Sequence, residues 1–265
     1  MNLMLHCNAK DTTWENLCNV RTPERTKTHH PVPHHVLFSM VKDQMVSQGF
    51  RITDMQHGIT HDGSRYFGVM QLKSFTDWAP IVGLRNSHDK SITADICFGT
   101  SVFVCDNMAF YGDLFSLSRK HTSKIDNDLP ERIKAAVAMT DKHTERMKIT
   151  IDHYKDRYIN NKVAHDIIVR ALDEGAIVAR HIPHVLEEWR KPRHDEFKKR
   201  NAWSLFNAFT ETMKSANRIQ SHVSRTSRLH SVFDKKLRTH RHLKTPYCRS
   251  EGEQCQIKEK LEKNC

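Results

Sequence analysis

Residues 79–122 read Ala-Pro-Ile-Val-Gly-Leu-Arg-Asn-Ser-His-Asp-Lys-Ser-Ile-Thr-Ala-Asp-Ile-Cys-Phe-Gly-Thr-Ser-Val-Phe-Val-Cys-Asp-Asn-Met-Ala-Phe-Tyr-Gly-Asp-Leu-Phe-Ser-Leu-Ser-Arg-Lys-His-Thr. Short apolar runs built on Val82, Leu84, Ile92, Ile96, Phe98, Val102, Phe103, Val104, Phe110 and Phe115 alternate with polar clusters at 85–90, 105–107 and 119–121. β-branched and aromatic residues suit a pleated, half-buried surface, so the pattern predicts a buried sheet with polar loops at its strand ends. Ile81–Arg85 and Ser91–Phe98 form one hairpin around 87–90. Ser101–Cys105 and Met108–Tyr111 form another, turning at Asp106-Asn107. Consecutive strands with connections this short must be antiparallel, because parallel neighbours need long crossovers.

On the N-terminal side, strands are expected at 50–59 and 65–72, joined by a turn with Asp62-Gly63 at its tip. Val36, Met40, Val41, Met45 and Val46 recur at helical spacing, and Gly49 follows as a C-terminal stop, so a helix is expected over 33–48. His34 and His35 fall in its first turn, where positive charge opposes the helix dipole, and read as neutral surface residues. Trp14 and Leu17 suit a short helix or an arm. On the C-terminal side, helices are expected over 133–159, 163–179 and 183–189. A fourth starts at Trp203 behind an Asn201 cap and reaches toward Ile219. The fold class is α+β: an antiparallel β-sheet of consecutive hairpins, preceded by one helix and packed against a C-terminal helical half. The organisation read from this is an N-terminal arm at 1–30, a single α+β domain at 31–244 (sheet 50–118, helical half 130–235), and a polar tail at 245–265.

No stretch of 18 apolar residues occurs, so no membrane span or membrane partner is expected. The opening residues lack the basic start and apolar run of a signal peptide, which points to a cytoplasmic location and reduced thiols. The seven cysteines contain no CxxC pair, and their wide spacing does not suit zinc; Cys97 and Cys105 read as buried thiols. No GxxxxGK[ST], HExxH or GxSxG pattern is present, nor a GxGxxG before a helix. No cofactor is expected.

The net charge of +11 favours a polyanionic partner, nucleic acid and DNA foremost. Between Arg190 and Lys244, fifteen basic residues face four acidic ones, which accounts for the whole excess. Arg85, Asn86, His88 and Lys90 supply charge and hydrogen bonds in the densest polar cluster, and Arg119 and Lys120 supply more charge. Arg218, Arg225 and Arg228 are the candidates on the helical side. The competing readings of 85–90 are a plain hairpin turn and a metal-dependent nuclease or phosphotransfer site. The latter would use His88 as general base and Asp89, with Asp106, as metal ligands.

Four ordered segments carry a family resemblance: residues 82–91, 102–110 and 119–122, and the helix Trp203-Ser-Leu-Phe-Asn-Ala-Phe-Thr-Glu211. Together they resemble the phage/plasmid-like proteins of domain of unknown function 932, over about residues 31–235. The resemblance implies a home in a phage, plasmid or integrated element and brings no catalytic residue with it. The order of elements is also similar to that of phage single-strand annealing proteins. The functional expectation is therefore single-stranded DNA binding or annealing in replication or recombination. The alternatives are the enzyme above and a host-interaction protein that counters defence. A homo-oligomer is compatible with the annealing likeness, although no subunit interface is legible.

Overall fold

The computed structural model describes residues 9–73, 75–102, 107–214 and 219–237. Strands β1 (Lys10–Asp11), β2 (Ile52–Ile59), β3 (Arg65–Leu72), β4 (Trp78–Ser87), β5 (Ala94–Val102) and β6 (Asn107–Arg119) form a six-stranded sheet. They lie in chain order, each antiparallel to the next. Helices α1 (Trp14–Cys18) and α2 (His34–Ser47) precede the body of the sheet. Helices α3 (Ile125–Ala138), α4 (Thr140–Asp156), α5 (Asn161–Asp173), α6 (Ile182–Arg190), α7 (Ala202–Met213) and α8 (Ile219–Leu237) follow it. This is the α+β arrangement the sequence predicts. Among the described residues no helix is long and apolar enough to cross a membrane.

The register explains which strand residues are apolar. Met70 lies opposite Val82, Val82 opposite Phe98, and Leu84 opposite Ile96. Alternate residues of a strand share a face, so these side chains form one apolar surface. Leu37, Phe38, Val41 and Met45 of α2 cover it, with Leu129, Ile133 and Val137 of α3. A second core joins α4 to α8 through Tyr154, Ile167, Trp189, Phe206, Phe209 and Phe233, and meets the sheet at Trp78, Val102 and Ala109.

Several boundaries differ from the sequence reading for identifiable reasons. The helix expected over 133–159 is two helices; Met139 N–H bonds back to Ala136 O in a tightened last turn, and Thr140 is buried with its hydroxyl 3.8 Å from Met45 Sδ. Pro130 does not open the helical half but sits inside α3. The helix expected to reach 179 ends at Asp173, because Gly175 adopts φ +68°. There Gly175 N–H bonds to Leu172 O and Ala176 N–H to Ala171 O, a pattern that stops a helix in the left-handed conformation glycine tolerates. Met213 ends α7 before Ile219, which opens α8. Asn201 caps α7 as expected, its side chain accepting from Ser204 N at 2.9 Å. The turn expected at Asp106-Asn107 falls partly outside the described residues, and Asn107 already belongs to β6. Residues 10–11, read as part of an arm, pair with β2, and Leu17 is buried.

His34 is the clearest correction. It was expected on the surface and is buried, its ring stacked between Tyr66 and His88. Tyr66 in turn lies across Gly68, with its hydroxyl 2.8 Å from His57 Nδ1. A Cβ on Gly68 would come within 2.2 Å of that hydroxyl oxygen. The Gly68→Ala variant is therefore expected to lose about 1–3 kcal/mol, since the held Tyr66 ring cannot yield without disturbing His34. Urea unfolding measures this, and an unchanged midpoint would show that the ring is not so constrained.

Candidate functional site

Three segments meet at one end of the sheet: residues 28–34, the β4–β5 turn, and the stretch after β6. In the turn, Ser87 Oγ donates to Ile92 O at 2.8 Å and accepts from Ile92 N, closing the loop. Asp89 accepts from Ser91 N at 2.9 Å and from Arg65 Nε at 2.8 Å. Burial works against its charge, but these contacts outweigh it and hold the carboxyl at about 2. Lys90 projects from the tip with φ +65°, a left-handed conformation that strains a side-chain-bearing residue. After β6, Arg119 Nε bonds both oxygens of Asp128 at 2.9 Å, and its Nη1 bonds Lys120 O and Thr122 Oγ1. His30 N–H donates to His121 O at 3.0 Å, which pins the N-terminal segment alongside.

These segments enclose a groove of about 540 Å³. Its walls are Thr28, His29, Arg85, Lys90, Ser91, Ile92, Thr93, Lys120, His121 and Thr122. Four hydroxyls, two lysines and two histidines therefore face one cleft. Arg85 reaches it, but its guanidinium is ion-paired with the fully buried Asp95. Lys90 and Lys120 have no carboxylate within ion-pair distance among the described residues. His121 is only 6% exposed, and neither of its ring nitrogens has a hydrogen-bond partner among those residues. Burial, followed by the nearby His29 and His88, pushes its pKa down to about 4, so it lies in the groove wall as a neutral ring with its nitrogens turned away from solvent.

The sequence candidates divide accordingly. Lys90 and Lys120 are groove residues. Arg85 and Arg119, expected as contacts, are held by Asp95 and Asp128; Arg85 lines the wall, and Arg119 does not. Asn86 and His88 are not ligand-facing: both are buried beneath the groove. Asn86 Nδ2 donates to Val32 O at 2.8 Å and to His34 Nδ1 at 3.0 Å. His88 Nε2 donates to Val32 O at 3.2 Å, and its ring lies flat on His34 with centroids 3.8 Å apart. A base tied down in this way, beside an Asp89 engaged by Arg65 and Ser91, is not the assembled pair a nuclease reading needs. Among the described residues no three His, Cys, Asp or Glu side chains are placed to share a metal ion, and Asp106 lies outside them. Arg225 and Arg228 lie on α8 and do not line the groove; Arg218 is outside the described residues. Thr28 and His29 were missed by the sequence reading. The only signal was the histidine-rich run His29-His30-Pro31-Val32-Pro33-His34-His35.

A family model described as a domain of unknown function (DUF932) matches residues 24–239. No curated protein and no solved structure matches the chain.

Two outcomes follow from the geometry. Removing Arg85 would strand the buried Asp95 charge, so Arg85→Ala is expected to cost about 3–5 kcal/mol, against less than about 0.5 for the exposed Lys120→Ala. Equal denaturation midpoints for the two variants would contradict the division of roles. The second outcome concerns acid. Burial, with lesser help from neighbouring histidines, lowers His34 to about 3 and His121 to about 4, against 6.5 in an unstructured chain. Below about pH 6.5 the unfolded chain thus binds protons that the folded one refuses, and stability falls as pH falls toward 4. Each such histidine contributes up to about 1.4 kcal/mol per pH unit. Thermal melts from pH 7.5 to 4.5 should show a falling midpoint, and a flat profile would count against a neutral buried layer.

Proposed function

The chain belongs to the DUF932 family, and within it we propose that this protein binds nucleic acid through the groove, single-stranded DNA foremost, in replication or recombination of a mobile element. The observation that supports this is Lys90 and Lys120: two cations without carboxylate partners among the described residues, in a cleft lined also by four hydroxyl residues, two histidines, Arg85 and Ile92. Phosphate oxygens are matched by that combination of ammonium, hydroxyl and imidazole donors. The net charge of +11 adds a long-range attraction for polyanions. Among the described residues the groove walls contain no Phe, Tyr or Trp. Backbone gripping thus accounts for the contact better than base stacking there, and broad sequence tolerance is expected.

The test is a salt titration of binding to single-stranded DNA, duplex DNA and RNA. For a single strand, the slope of log K against log salt is about −0.7 per phosphate contacted. Lys90→Ala and Lys120→Ala should each weaken binding across sequences and make the slope shallower by roughly one contact's share, with folding intact. Binding that is indifferent to both lysines would remove the groove from the interface.

A further inference from the structure

The end of the sheet opposite the groove carries a cluster of its own. β4 runs ten residues from Trp78 to Ser87, which sets the segment leading into it about 30 Å from the β4–β5 turn. That segment is anchored on two sides. Lys73 N–H donates to Arg51 O at 3.0 Å, and Phe75 N–H donates to Trp78 O at 2.8 Å. From α4, Lys155 Nζ donates to the Asp77 carboxylate at 2.8 Å. These bonds to the sheet and to α4 fix the backbone on either side of the Phe75 ring.

Phe75 is 37% exposed, and its ring stacks on Trp78, which is 2% exposed, with centroids 4.4 Å apart and planes inclined by 22°. Trp78 belongs to the second core, so Phe75 rests on a packed floor. Lys148 of α4 reaches the same ring, its Nζ 6.0 Å from the centroid. At that distance the cation–π attraction is weak, and the ammonium sits on a flexible stem that can turn to an anion. Among the described residues, neither Lys148 nor the exposed Lys73 and Arg51 has a carboxylate within ion-pair distance. An exposed aromatic ring beside unmatched cations is the combination that holds a single strand: a base face stacks on the ring, and ammonium groups meet the phosphates.

We propose that Phe75, backed by Trp78 and flanked by Lys148 and Lys73, is a platform on which an unpaired base of a single-stranded nucleic acid stacks. This rests on the single-strand reading of the preceding subsection and extends it. The groove grips the sugar-phosphate backbone, and Phe75 supplies a base contact that the groove walls do not. The surrounding cations favour a polyanion over an apolar protein surface as the occupant. A duplex does not satisfy the platform, because its paired bases stack on one another and present no free face. Stacking accepts every base, since each has a π-face, so the platform adds affinity without strong sequence preference.

The full-length chain would be titrated against a labelled single-stranded DNA oligonucleotide and against the same backbone made of abasic sites. Phe75→Leu is expected to weaken binding of the base-bearing strand by about tenfold, the worth of one base stack, with the salt slope unchanged. It should leave the abasic strand bound as tightly as by the parent chain. Phe75→Tyr keeps an aromatic face and should bind both strands as the parent does. Lys148→Ala should instead make the salt slope shallower by roughly one contact's share. If Phe75→Leu binds the base-bearing strand as tightly as the parent, or weakens both strands equally, the ring only covers Trp78 and the proposal is overturned. Loss in Phe75→Leu with unchanged binding by Lys90→Ala and Lys120→Ala keeps the platform and overturns the groove. The reverse result keeps the groove and overturns the platform, and a parent chain that binds no single strand overturns both.

Discussion

Asp95 is a fully buried carboxylate near the N-terminal end of β5, between β4 and β6, and much of the architecture answers to it. A carboxylate in that position costs several kcal/mol unless it is paired and hydrogen-bonded. Arg85 faces it from the neighbouring strand in direct register, and Thr93 donates its hydroxyl from two residues away. The Thr93 hydroxyl also lies 3.1 Å from Ser118 Oγ, so the network spans β4, β5 and β6. Arg119 repeats the device at the end of β6, where its bond to Asp128 couples the sheet to α3. The two arginines nearest the groove are therefore fixed by the fold. The flexible lysines beside them are the cations whose charge remains available to a ligand.

The buried histidines answer to a related constraint. Residues 28–34, the 60–65 turn and the 87–94 turn are irregular segments brought together against the sheet, and irregular backbone under cover leaves carbonyls without partners. His34 Nε2 meets Gly63 O, His88 Nε2 meets Val32 O, and His29 Nε2 lies 3.3 Å from His88 O. Each ring presents an apolar face for stacking and one N–H for a carbonyl, which phenylalanine does not offer. The bond to Gly63 also fixes the tautomer of His34: Nε2 carries the proton, and Nδ1 is left to accept from Asn86.

The sheet was legible because its signals are local. Alternation in 65–72, the Asp62-Gly63 turn and the Asn201 cap each declare themselves within a few residues, whereas the strands read separately at 91–98 and from Ser101 are one strand over 94–102. Helix ends were read less well where a single glycine or a tightened turn decided them, as at Gly175 and Met139. The site was legible only as a polar cluster. Which of Arg85, Asn86, His88 and Lys90 faces solvent depends on Val32 and His34, more than fifty positions away in the chain, because they roof the turn and bury its middle.

The basic span 190–244 shows how far a charge count can mislead about an interface. Within it, Arg193 pairs with Glu188 and Glu211, Lys214 with Glu211, Lys198 with Asp195, Lys235 with Glu174, and Lys236 with Asp166. Arg200 lies over Trp189 at 4.7 Å and donates to its carbonyl at 3.2 Å. Asp166 belongs to α5 and Glu188 to α6, so the local excess is partly cancelled across helix contacts that the linear sequence does not reveal. Net charge governs the field felt at a distance and the rate at which a polyanion arrives. The contacts it meets on arrival depend on which cations the fold has already matched. In this chain the two lysines that line the groove, Lys90 and Lys120, lie outside the basic span altogether.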